Sequence, residues 1–154
     1  MDRSDDLLEE QQSKALLLIL YTSPAKAAAL VQRFPAERYE VISCPALASV
    51  ARWRDELQPD VIVLDPPSES AQLLEVCMAV RSQTDRPIIV LSDRRNESII
   101  ARALTTGVDE YLVLPIGDRE LVARIEAILR RARQSAAPTV NDVGSVCHQS
   151  SFAS

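Results

Sequence analysis

Asp65 closes the apolar run Val61-Ile62-Val63-Leu64, and Pro66 and Pro67 follow it at once. A carboxylate at the end of a buried strand can accept a transferred group or give a hard oxygen to a cation. It can also do neither and simply wet the strand's end through backbone amides or water. Both readings stand on these residues alone. Other reactive groups are scattered. Cys44, Cys77 and Cys147 are odd in number, widely spaced and without a CxxC pair, which reads as buried thiols in a reducing compartment. His148 stands in a polar stretch with no partner ligands nearby, so no metal site is expected around it. Arg94 and Arg95 follow Asp93; they read as its partners, as a draw for an anion, or as exposed charge. Trp53, between Arg52 and Arg54, reads as a partly buried anchor, with an interface role as the alternative.

Positioning these groups requires elements, and the pattern supplies them. ALLLIL (15–20) is a continuous apolar run, as in a strand buried on both faces. Ser23-Pro24 then reads as N-cap and first helical residue. Tyr39–Ser43 is a second short strand, and Pro45 is expected to open a helix over ALASVARWRDEL. Val61–Leu64 is the third strand, followed by a helix through Leu73, Leu74, Val76, Cys77 and Val80. PIIVL (87–91) is the fourth. The next helix runs from a capping Asn96 to Thr106 and is closed by Gly107. Tyr111–Leu114 is the fifth strand, and Asp118 is expected to cap a last helix with the apolar stripe Leu121, Val122, Ile125, Ile128 and Leu129. Strands alternating with helices over short links imply an α/β fold, a parallel sheet covered on both faces. In such a sheet the carboxyl ends of the strands form the working rim. Tyr21-Thr22, Asp65, Ser92-Asp93 and Leu114-Pro115 therefore belong on one edge.

The 154 residues suit one domain with short tails: an acidic arm over 1–13, a domain over 14–133, and a polar tail or linker over 134–154. The charge of −5 argues against direct nucleic-acid contact by this domain. No apolar run is long enough to span a bilayer and no basic-then-apolar leader opens the chain, so a cytoplasmic, non-membrane protein is expected.

Four blocks in order, PDVIVLD (59–65), PIIVLS (87–92), GVDEYLVLP (107–115) and DRELVARIEAILRR (118–131), resemble the receiver domain of response regulators. The last block is most similar to OmpR/PhoB-type receivers. The resemblance implies a flavodoxin-like, CheY-like (βα)5 fold with strand order 2-1-3-4-5, a non-enzymatic role in two-component signalling, and a sensor kinase or other signalling protein as partner. It makes Asp65 the phosphoacceptor candidate, Ser92 the hydroxyl that senses the phosphoryl group, Tyr111 the aromatic switch, and Pro115 the family's proline, usually in a cis peptide. Three places depart from the pattern. The acid pair that holds Mg²⁺ is Tyr21 and Thr22, the lysine before the proline is Leu114, and the loop after the acceptor has Glu69 and Leu73 for its proline and glycine. Pro66 and Pro67 are additions.

Those losses bear unequally on the chemistry. Phosphoryl transfer to a carboxylate brings anion against anion, and a divalent cation normally bridges them. Removing one such electrostatic group commonly costs ~10²–10³ in rate. The expectation is a degenerate, or pseudo-, receiver with weak or absent Mg²⁺ binding and no other cofactor, working through protein contacts. The alternatives are a genuine phosphoacceptor serving a sensor histidine kinase, and the N-terminal half of a transcriptional regulator. The resemblance also marks Asp109, Glu110, Glu120, Arg124 and Arg131 as candidates for a homodimer face on the fourth helix, fifth strand and fifth helix. Paired identical patches would use both signs of charge on each copy.

Overall fold

The computed structural model describes residues 14–46 and 53–136. The acidic arm, residues 47–52 of the expected second helix, and positions 137–154 with Cys147 and His148 lie outside the described residues. The elements in order are β1 (Ala15–Tyr21), α1 (Pro24–Val31), β2 (Tyr39–Pro45), a π-helical turn π1 (Trp53–Leu57), β3 (Val61–Asp65), α2 (Ser70–Arg81), β4 (Ile88–Ser92), α3 (Glu97–Thr105), β5 (Glu110–Val113) and α4 (Asp118–Ala136). All strand pairs are parallel and the order is β2-β1-β3-β4-β5. The fold is the flavodoxin-like one expected.

Strand periodicity divides the core into two layers. Leu18, Leu20, Ile62, Leu64, Ile88 and Val90 face α2, α3 and Trp53. Leu17, Ile19, Val61, Val63, Ile89 and Leu91 face α1 and α4. Neighbouring residues of one strand thus serve opposite layers, which is why β3 and β4 are buried along their whole length. Each large aliphatic side chain taken out of water contributes ~1.5–3 kcal/mol, so these strands dominate stability.

Local signals hold at most helix ends. Ser23 Oγ accepts from the Lys26 amide at 3.4 Å, and Asn96 Oδ1 accepts from Ser98 N at 2.9 Å and Ile99 N at 3.3 Å. Gly107 takes φ +107° just past the end of α3. Three expectations need correction. Pro45 is the last residue of β2, paired in register with Tyr21, and is not itself the first residue of a helix. Trp53 is 1% exposed, inside the α2–α3 layer; its indole lies in the core and not on a surface, and the turn carrying it closes with a Gln58 N to Trp53 O bond at 3.2 Å. Asp118 is the first residue of α4 and its carboxylate takes Arg33 Nε at 2.6 Å, an ion pair to the end of α1 in place of a cap. Small shifts also occur: β5 runs 110–113, one residue earlier than expected, and α4 continues to 136.

Candidate functional site at the carboxyl ends of the strands

The parallel registers gather the expected residues on one rim. Tyr21 pairs with Asp65 across β1 and β3, and Ser92 with Val113 across β4 and β5. Asp65 is 6% exposed. Its Oδ2 accepts from the Ser23 amide at 3.4 Å, and its backbone carbonyl accepts from Thr22 Oγ1 at 3.3 Å. Burial lifts the Asp65 carboxyl above the ordinary carboxylate range, opposed by the Ser23 amide and by the charge of Lys26. One carboxylate and the neutral Thr22 hydroxyl thus occupy the β1–β3 end of the rim. Among the described residues, no group of three or more acidic, histidine or cysteine side chains is arranged to hold a metal ion.

Ser92 and Tyr111 are brought together through the backbone of Arg94. Ser92, 6% exposed, accepts from Arg94 N on Oγ at 3.1 Å. Tyr111 is buried and donates its hydroxyl to the Arg94 carbonyl at 3.1 Å; burial raises its phenol above the usual value. The Arg94 guanidinium donates to the carbonyl of Ser68, in the link after β3. A single residue therefore ties the link after β3 to the end of β4 and to β5. Sequence reasoning missed this role, because no spacing relates position 94 to 68 or 111. Arg95 donates to the carbonyl of Leu114 at 3.4 Å. Both arginines bond carbonyls, and no ion pair to Asp93 is found among the described residues. Leu114 itself packs on the α1–α4 layer, and the Leu114–Pro115 peptide is cis.

Four of the candidate interface residues converge. Glu110, on β5, meets Arg124 at 3.2 Å and Arg131 at 3.9 Å, and Arg124 also reaches Glu120 at 3.5 Å. Asp109 belongs to another network: it accepts from the Ile88 amide at 2.8 Å and pairs with Arg81 at 3.3 Å. Cys77 is buried, and its thiol is pushed up to about 11 by burial, while Cys44 is half-buried.

Comparison with known proteins agrees with this geometry. The family described as the response regulator receiver domain matches residues 17–126. The phosphate regulon transcriptional regulatory protein PhoB of Rhizobium meliloti is 38% identical over 94 residues, covering 59% of this chain and 41% of that protein. The transcriptional regulatory protein KdpE of Mycobacterium tuberculosis is 33% identical over 116 residues, covering 75% of this chain and 51% of that protein. The chain thus spans about half the length, or less, of these curated relatives. Among solved structures, a two-component response regulator from Clostridium difficile aligns with a TM-score of 0.67 at 22% identity, covering 77% of this chain and 98% of that one. The signal receiver domain of a Luxo repressor protein from Vibrio parahaemolyticus aligns at 0.70 and 16%, covering 82% and 98%. These similarities carry the fold.

Proposed function

The chain belongs to the response regulator receiver domain family of two-component signalling, and we propose that it is a degenerate member that works mainly through protein contacts, with weak or no Mg²⁺-dependent phosphorylation. The observation that carries this reading is the donor set beside Asp65. Mg²⁺ asks for near-octahedral hard oxygens, with carboxylates fixing it. Here the register partner of Asp65 is Tyr21, which carries no carboxylate and packs on the α1–α4 layer, the next residue offers a neutral hydroxyl, and position 114 holds an aliphatic side chain. The residues present therefore fit the ion poorly.

Intact-mass measurement after incubation with acetyl phosphate and Mg²⁺ tests the proposal. We expect no adduct on Asp65, and stoichiometric phosphorylation would refute it. The triple variant Tyr21→Asp, Thr22→Asp and Leu114→Lys should regain Mg²⁺ binding by calorimetry. A folded variant that ignores Mg²⁺ would place the cause elsewhere on the rim.

A second reading is favoured by the relatives. Those quoted above are transcriptional regulators of which the matched part is about half or less, and Asp65, Ser92 and Tyr111 keep the family's residue types. On that reading the chain is the phosphoacceptor half of such a regulator, served by a sensor histidine kinase, and the same mass shift would select it. Either way, we propose homodimerisation through α3, β5 and α4, whose Glu110, Glu120, Arg124 and Arg131 carry both signs of charge. Light scattering that shows a dimer lost in Arg124→Glu, and a monomer throughout, are the supporting and opposing results.

A further inference from the structure

The link between β4 and α3 is stapled on both sides by its own arginines. Arg94, half-buried, donates through its guanidinium to the carbonyl of Ser68, in the link after β3. Arg95 donates to the carbonyl of Leu114, just past β5, at 3.4 Å. Neither forms an ion pair with the adjacent Asp93 among the described residues, so both guanidiniums are spent on backbone.

The stapled link holds two buried hydroxyls. Tyr111 is 9% exposed, and its ring packs in the α2–α3 layer with Cys77. A phenol buried there must find a partner, and it donates to the Arg94 carbonyl at 3.1 Å. Ser92, 6% exposed, accepts from the Arg94 amide on Oγ at 3.1 Å. Burial raises the Tyr111 phenol, and the Ser92 hydroxyl, within donating reach of it, opposes that rise. Residue 94 thus engages both members of the pair through its backbone and the neighbouring link through its side chain. A shift of the link would strand the Tyr111 hydroxyl inside the apolar layer, so link and ring hold one position together.

We infer that Arg94 is a positioning residue that fixes Ser92 and Tyr111 in one arrangement with no phosphoryl group on Asp65. The Ser92 hydroxyl is committed to its own loop in place of a phosphoryl oxygen. The inference deepens the degenerate-receiver reading and rests on it for its consequence. The link runs directly into α3, so one edge of the proposed contact face is set by hydrogen bonds within the chain.

The test uses the full chain, labelled with ¹⁵N and with ¹³C in the tyrosine rings. Arg94→Ala should speed amide exchange over residues 93–96 by about 10-fold, the worth of one charge-assisted bond. It should also move the ring signals of Tyr111 and leave those of Tyr21 and Tyr39 in place. Arg94→Lys, which keeps a donor for the Ser68 carbonyl, should restore both. A double-mutant cycle separates positioning from plain stability: in a Tyr111→Phe background, Arg94→Ala should speed the same exchange by less than about 3-fold. Unchanged exchange and unmoved Tyr111 signals in Arg94→Ala overturn the inference, as do equal effects in the two backgrounds. Acetyl phosphate with Mg²⁺ keeps this result apart from the reading beneath it. A mass adduct on Asp65 refutes the degenerate receiver; if the Tyr111 signals then stay in place the role of Arg94 stands, and if they move both fall.

Discussion

Asp65 is costly to the fold, and the cost has a sign. Burial raises its pKa in the folded chain, so the folded state holds the proton more tightly than the unfolded state does. This contribution to stability is fully present below the ordinary carboxylate range and is lost as pH rises through the folded pKa. Asp65→Asn should therefore raise the melting midpoint near neutrality, by about 2–4 °C for each kcal/mol relieved. The gain should vanish in acid, and paired thermal melts across that range check it. Tyr111 acts by position, its hydroxyl holding the Arg94 carbonyl at 3.1 Å. Tyr111→Phe should cost ~0.5–1.5 kcal/mol and speed hydrogen exchange in the link between β4 and α3. Unchanged exchange there would mean that the bond does not hold the loop.

The helix ends show how short signals translate into geometry. Asn96 caps α3 with two amide bonds, and Asn96→Ala should cost ~1 kcal/mol in a denaturant melt. Gly107 is constrained twice, by φ +107° and by Arg81, whose Cδ would lie 2.8 Å from an added Cβ. Arg81 cannot yield freely, because it bonds the carbonyls of Gly107, Thr84 and Arg86 and pairs with Asp109. Gly107→Ala should therefore cost more than the ~1 kcal/mol expected from backbone strain alone; a smaller loss would show that Arg81 moves aside. Pro45 shows the limit of such signals. A proline suits the first turn of a helix and equally the end of an edge strand, and β2 is one of the two edge strands.

The sheet sets the behaviour of the entire domain. Ile62 is fully buried in the centre of β3, and Ile62→Ala should destabilise by ~2–5 kcal/mol through lost burial and an unfilled cavity. The described residues pack into two apolar layers on the sheet, and a fragment over residues 14–136 should melt at about the midpoint of the full chain. A clearly lower midpoint would mean that one of the flanking segments adds to the fold.

Periodicity by itself determined the parallel sheet, because uninterrupted apolar strands such as VIVL and IIVL require cover on both faces. The blocks of residue types around Asp65, Ser92 and Tyr111 likewise placed the rim before any coordinates. Local signals could not specify the burial of Trp53, which depends on a layer formed by residues far away in the chain. Nor could they reveal Arg94 as the tie between the link after β3, the end of β4 and β5, or the ion pair that Asp118 makes with Arg33. Such features arise where distant segments meet, and only the tertiary structure decides which side chains share a space.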